Sequence, residues 1–137
     1  MRDEVTGMRK GWLVVLIAYF LTIYYFAVLG RNTSVNASIR LELFWGYFSQ
    51  GENLLMDNLI NIVCFIPIGM LVGMINRKHK VLTALFTGLL ISLIIESSQL
   101  IWKRGVFDVD DLLNNTIGAV IGCLMVRILG KRVKVKV

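Results

Sequence analysis

The chain has 137 residues, 56% of them hydrophobic and only 18% charged, with a formal net charge of +6. A soluble domain carries roughly 45–50% apolar residues, so this composition excludes water as the main solvent. The basic residues are not gathered on one face or interleaved with exposed aromatics, which argues against a nucleic-acid partner. Four hydrophobic runs of 17 to 21 residues take more than half of the length, so a separate soluble catalytic domain cannot fit.

In chain order, the first run is Gly11 to Leu29, preceded by Arg9 and Lys10 as a signal peptide would be. It exceeds the usual apolar core of such a signal, about 7 to 15 residues, and is expected to be a retained helix. The linker from Gly30 to Met56 follows, the only long one. Within it LELFWGYF, Leu41 to Phe48, has two readings: a segment lying among lipid headgroups, or an ordered loop packed on the helix ends. The second run, Leu59 to Ile75, contains Pro67, whose missing N–H predicts a kink. Residues 76–80 form a connection so short that the third run, Val81 to Ile101, must double back as an antiparallel hairpin. The fourth run is Leu112 to Leu129.

Each run approaches the length that crosses roughly 30 Å of hydrocarbon as a helix, and only a helix satisfies a lone segment's backbone in lipid. The expected fold is therefore all-α, an integral membrane four-helix bundle in a single domain over residues 1–137. Cys64 and Cys123 lie in the middle of apolar runs without metal-ligand spacing, so neither a disulfide nor a metal site is expected. His79, the lone histidine, lies among basic residues in the short connection and reads as solvated.

Orientation follows from Lys and Arg near helix ends, which are retained in the cytoplasm. Arg2, Arg9 and Lys10, then Arg77, Lys78 and Lys80, then Arg127, Lys131, Arg132, Lys134 and Lys136 fall on one side. Only Arg31, Arg40, Lys103 and Arg104 fall on the other, together with seven of the nine acidic residues. Both termini are thus expected in the cytoplasm, and the 30–56 linker outside. The basic tail is also suited to anionic lipid, but topology alone accounts for it.

Several polar residues sit where lipid should exclude them, all towards the expected outer face. Asp57 and Asn61 are one helical turn apart, with Phe65 and Gly69 continuing their face inward. Glu96 and Gln99 share a face of the third helix, and a carboxyl group at that depth needs a partner or a wet cavity. Asp108, Asp111, Asn115, Gly118 and Gly122 recur at steps of three or four and make one stripe. Asp108 suits a helix cap, Asp110 and Asp111 suit the first turn, and Gly118 with Gly122 forms a GxxxG that admits a close neighbour. Ala119 is expected to lie off that packing stripe. Arg104 precedes the stripe by one turn and is expected to fold its guanidinium over the cluster.

These residues resemble the VanZ-like family of membrane proteins. Asn61, Phe65, Pro67 and Gly69 match its NxxxFxPxG element, Glu96 and Gln99 its ExxQ, and Arg104, Asp108, Asp111, Asn115 and Gly118 its RxxxDxxDxxxNxxG. The resemblance covers about Asn61 to Gly122, and implies a multi-pass protein of the bacterial cell membrane and envelope. The family's namesake is an accessory in resistance to glycopeptide antibiotics, notably teicoplanin. Neither a reaction nor a cofactor follows from it, and the oligomeric state stays open.

Four readings of the polar cluster compete. It can simply lock the bundle through mutual neutralisation of Glu96, Arg104, Asp108 and Asp111. It can bind a membrane lipid or a lipid-linked wall precursor at the outer leaflet, with Arg104 on the phosphate and Asn61, Gln99 and Asn115 on other polar groups. It can be catalytic, with Glu96 as acid or base beside Asp108 or Asp111. A small transporter or flippase is the fourth, and would require oligomers of so short a chain. Binding is the preferred reading, and it expects Arg104→Ala to leave the unliganded protein nearly as stable as the parent.

The topology has a direct check. Cysteines introduced at Ser49 or Lys103 should react with an impermeant thiol reagent in intact cells, and cysteines at Lys78 or Lys134 should not. The opposite labelling pattern would invert the assignment.

Overall fold

A computed structural model describes residues 2–33, 37–44, 48, 52–76 and 80–134. Four long helices make up the fold: α1 (Arg2–Tyr24), α2 (Glu52–Ile75), α3 (Lys80–Ile101) and α4 (Val109–Lys134). α1 continues into a π-helical turn, Tyr25–Leu29, closed by the Gly30 N–H on the Tyr25 carbonyl at 2.7 Å. Each helix holds a segment long and apolar enough to cross a membrane: Thr6–Leu29, Leu55–Ile75, Lys80–Ile101 and Val109–Gly130. The all-α, multi-pass membrane fold is therefore as the hydrophobic runs predict. The helices outrun the apolar runs because the flanking residues are mostly good helix formers or caps, and a helix need not end where hydrocarbon does.

Pro67 sits inside α2, which continues through it without interruption. Beside this stretch the Tyr19 hydroxyl of α1 donates to the Cys64 carbonyl at 3.0 Å. α1 is otherwise peripheral, with only 6% of its apolar window buried. The core lies among the other three helices, around Phe65, Ile68 and Val72 of α2, Ala84, Ile91 and Ile95 of α3, and Cys123 of α4. Large apolar side chains such as Val63, Phe86, Leu90 and Ile128 face outward, the arrangement expected where lipid replaces water.

α2 and α4 are the closest pair. A Cβ built on Gly118 would collide with the Ile62 carbonyl, one on Gly122 with the Ile66 carbonyl, and one on Gly69 with the Ala119 carbonyl. The GxxxG pair therefore receives α2, and Gly69 returns the same accommodation from the opposite helix. One expectation is corrected here. Ala119 is fully buried, and its methyl group would meet a Cβ on Gly88 of α3 at 2.7 Å, so it stands where three helices converge.

Between α1 and α2, Ile39–Arg40 forms a short strand, β1, that pairs in parallel with β2, Phe107–Asp108, just before α4. The Phe107 N–H donates to the Ser38 carbonyl at 3.0 Å. Residues 37–44 of the long linker are thus tied to the start of α4. Leu41, Leu43 and Phe44 remain at least half exposed within it. Trp45, Gly46, Tyr47 and Ser49 lie outside the described residues, as do Arg77, Lys78 and His79 in the α2–α3 connection.

Close packing around α4 predicts that Gly118→Leu and Ala119→Leu each cost about 1–3 kcal/mol or more, since neither site has room for a larger side chain. Gly130 has nothing within 4 Å of a built Cβ, so Gly130→Leu should leave stability unchanged. Thermal melting in detergent compares the three. Parent-like melting of Gly118→Leu would refute the close helix contact.

Candidate functional site

The polar residues assemble at the end of the bundle where α2 and α4 begin and α3 ends. Local structure at α4 starts with Asp108, whose Oδ1 accepts the Asp110 N–H at 3.0 Å and so caps the helix. Asp110 and Asp111 occupy the first turn, where carboxylates favour the helix dipole. Asp110 does more than that. It is 2% exposed, and its Oδ1 accepts the backbone N–H of Phe44 at 2.6 Å, which ties the long linker down. Phe44 has a positive φ of 64°, unusual for a bulky side chain and sustained here by that bond.

Two rungs connect α2 to α4. The Asn61 amide donates to Asp111 Oδ1 at 2.6 Å, and the Asn114 amide donates to Asn58 Oδ1 at 2.9 Å. On the α3 side, Asn115 Nδ2 donates to the Ser92 hydroxyl at 2.8 Å. Glu96, 2% exposed, accepts the Asp108 N–H on Oε2 at 3.1 Å. Its carboxyl group is thereby fixed under the β2–α4 junction. Gln99, 4% exposed, donates through Nε2 to the Ala27 carbonyl in the π turn of α1 at 3.2 Å.

The cations are arranged differently from the sequence expectation. Arg104 Nη1 donates to the Leu29 and Arg31 carbonyls, at 2.6 Å each, so it fastens the end of α1 to the α3–α4 connection. Arg40, from β1, is the residue that meets the cluster: its Nη1 lies 2.9 Å from Asp108 Oδ2. Arg31 lies against Gly105. A Cβ there would stand 3.2 Å from Arg31 Nη1 and 2.8 Å from Gln99 Oε1, so the bare glycine makes room for both.

Above these groups opens a cavity of about 320 Å³. It is lined by Arg31 and Arg40, by Asp57, Asn58 and Asn61 of α2, and by Asp108 and Asp111 of α4. Gln99 and Gly105 also reach it. Of the residues singled out in the sequence, Asp57, Asn61, Gln99, Asp108 and Asp111 border the cavity. Glu96, Arg104 and Asn115 do not, and Phe65, Pro67, Gly69, Gly118 and Gly122 lie along the helices rather than at the opening.

Three cavity residues were missed as site candidates: Arg31, Arg40 and Asn58. Charge balance carried a signal for the arginines, because seven outer carboxylates could not be answered by Arg104 alone. Asn58 gave a weaker one, as an amide one residue from the Asp57–Asn61 face. Among the described residues, no cluster of His, Cys, Asp and Glu has the form of a metal site.

The helices and this buried polar end define a multi-pass membrane protein with an open polar cavity at one end of the bundle. Residues 12–130 match the VanZ/LLP1 family, and the chain belongs to it. Comparison with curated proteins and with solved structures finds no match.

The position of Arg104 reverses the stability expectation attached to it. Arg104→Ala removes two charge-assisted hydrogen bonds to backbone carbonyls and should lower unliganded stability by about 1–3 kcal/mol in total, allowing for partial exposure. Arg104→Lys should recover part of that loss, since an ammonium spans two carbonyls less well than a planar guanidinium. Melting of both variants without added lipid is the measurement. An Ala variant as stable as the parent would remove the fastening role.

Proposed function

We propose that the cavity binds the phosphate-bearing headgroup of an anionic lipid or a lipid-linked wall precursor at the outer leaflet. The observation that carries this reading is a pair of donors at the cavity. Among the described residues the Arg31 guanidinium makes no hydrogen bond or ion pair, its carbonyl alone being taken by Arg104, and Asn58 Nδ2 is buried without a partner. The lone buried Asn58 donor is costly to leave unmet, and an oxygen-rich anion satisfies it while pairing with the exposed Arg31 guanidinium. The volume stands at the lower end of the roughly 300–1,000 Å³ common for small-molecule sites, which suits a headgroup rather than a whole lipid.

The outer placement is supported by the Lys and Arg asymmetry along the chain, which favours both termini in the cytoplasm. Binding is preferred to catalysis because Glu96, the candidate acid or base, does not border the cavity and is held on the Asp108 backbone. Family membership supports an accessory role in the envelope, with altered teicoplanin susceptibility as the phenotype to examine.

Purified protein in a neutral detergent should melt at a higher temperature when phosphatidylglycerol is added. Arg31→Ala should remove most of that shift while changing the lipid-free melting temperature little. A full lipid-induced shift in Arg31→Ala would end this assignment.

A further inference from the structure

The cavity is not simply basic, and its charge pattern narrows what it takes. Arg40 is answered within the protein by Asp108 at 2.9 Å, so that pair contributes little net charge. Arg31 is then the remaining cation at the lining, and Asp57 and Asp111 are the remaining anions. Asp111 accepts from the neutral Asn61 amide on Oδ1, which orients the carboxylate without cancelling its charge. Asp57 has no hydrogen bond or ion pair among the described residues, and its side chain is exposed at the start of α2. Asn58, 4% exposed, adds a donor without a partner at the same lining.

A purely anionic group would satisfy Arg31 and Asn58 but face two carboxylates across a small cavity. A purely cationic group would satisfy Asp57 and Asp111, yet leave the buried Asn58 donor unmet and be repelled by Arg31. A group with both signs on neighbouring atoms removes each conflict.

We infer that the ligand is zwitterionic, a phosphate joined by a short spacer to a primary ammonium, with the phosphate at Arg31 and Asn58 and the ammonium at Asp57 and Asp111. This rests on the phosphate-bearing headgroup of the reading above and replaces its net negative charge with a balanced pair. A phosphate accepts from the guanidinium fork and from the amide, while an ammonium's three donors meet carboxylate oxygens on α2 and α4. The two halves of the site come from different elements. The anion side joins the first linker to α2, and the cation side joins α2 to α4.

The test uses purified full-length protein in dodecyl maltoside, titrated separately with phosphatidylethanolamine, phosphatidylglycerol and soluble phosphoethanolamine. Phosphatidylethanolamine should bind about tenfold tighter than phosphatidylglycerol, a difference of about 1.4 kcal/mol. Asp57→Asn, a change at an exposed side chain, should bring the two lipids to one affinity, and Asp57→Glu should keep the preference. Arg31→Ala should weaken both. Phosphatidylglycerol binding as tightly as phosphatidylethanolamine would sink the zwitterion assignment while leaving the anionic-headgroup reading in place. No binding of either lipid, or an Arg31→Ala variant that binds both like the parent, would overturn both. Soluble phosphoethanolamine binding as tightly as the lipid would keep the zwitterion chemistry and refute a lipid as its source.

Discussion

The backbones of α2 and α4 meet because Gly69, Gly118 and Gly122 present no side chains where the helices cross, and the rest of the arrangement depends on that contact. In hydrocarbon, helices gain little from burying apolar side chains against one another, so close backbone packing has to supply much of the attraction. Once the axes are that near, short polar side chains can bridge them. Asn61 reaches Asp111 and Asn114 reaches Asn58, spans that a wider crossing would leave open. The glycines thus set the distance, and the amides set the rotation of one helix about the other. Larger residues at the crossing would separate the bridges as well as the backbones.

A bundle end carrying so many carboxyl groups needs a cover, and the first linker provides it. β1 docks on β2, Arg40 meets Asp108, Asp110 holds the Phe44 N–H, and Arg104 reaches back to the Leu29 and Arg31 carbonyls. These contacts bridge sequence separations of 66 to 75 residues, so they close the fold rather than extend a local element. The π turn at the end of α1 matters in the same way. Its widened geometry places Ala27 and Leu29 carbonyls where Gln99 and Arg104 can use them. Arg31, just beyond that turn, is consequently delivered to the cavity beside Gly105.

The membrane fold was legible because hydrocarbon imposes a length and a polarity on each span, and four runs met both conditions. The inward stripe of α4 was legible for the same reason: Asp111, Asn115, Gly118 and Gly122 recur at helical spacing, and polar residues in a span must turn from lipid. What helical spacing cannot reveal is how a linker folds back. Arg40 and Asp108 are joined by the register of a two-residue strand pair, and nothing periodic in the sequence encodes that pairing. Arg104 was misread through proximity. It lies one turn before Asp108 in sequence, but the connection turns it towards α1, with Lys103 at a positive φ of 53° beside it. Ala119 was misread because a stripe drawn for two helices does not describe a residue serving three.

The distribution of satisfied and unsatisfied groups separates a lock from a receptor. A lock alone would pair its buried donors and acceptors throughout, since each loose group weakens it. Here the pairing is dense in the rungs between α2 and α4, at the Glu96 contact and along the linker, so the architecture is already held. Among the described residues the loose buried atoms are Asn58 Nδ2, at the cavity lining, and Asn115 Oδ1, within the helix packing. Arg31 adds a guanidinium that closes none of the bridges. Rigid walls with unanswered polar groups facing an opening are what binding requires, because the ordering cost has been met before a ligand arrives. On the proposed reading the bundle end divides these tasks, with Asn61 and Asp108 holding the walls while Arg31, Asp57 and Asn58 line the space between them.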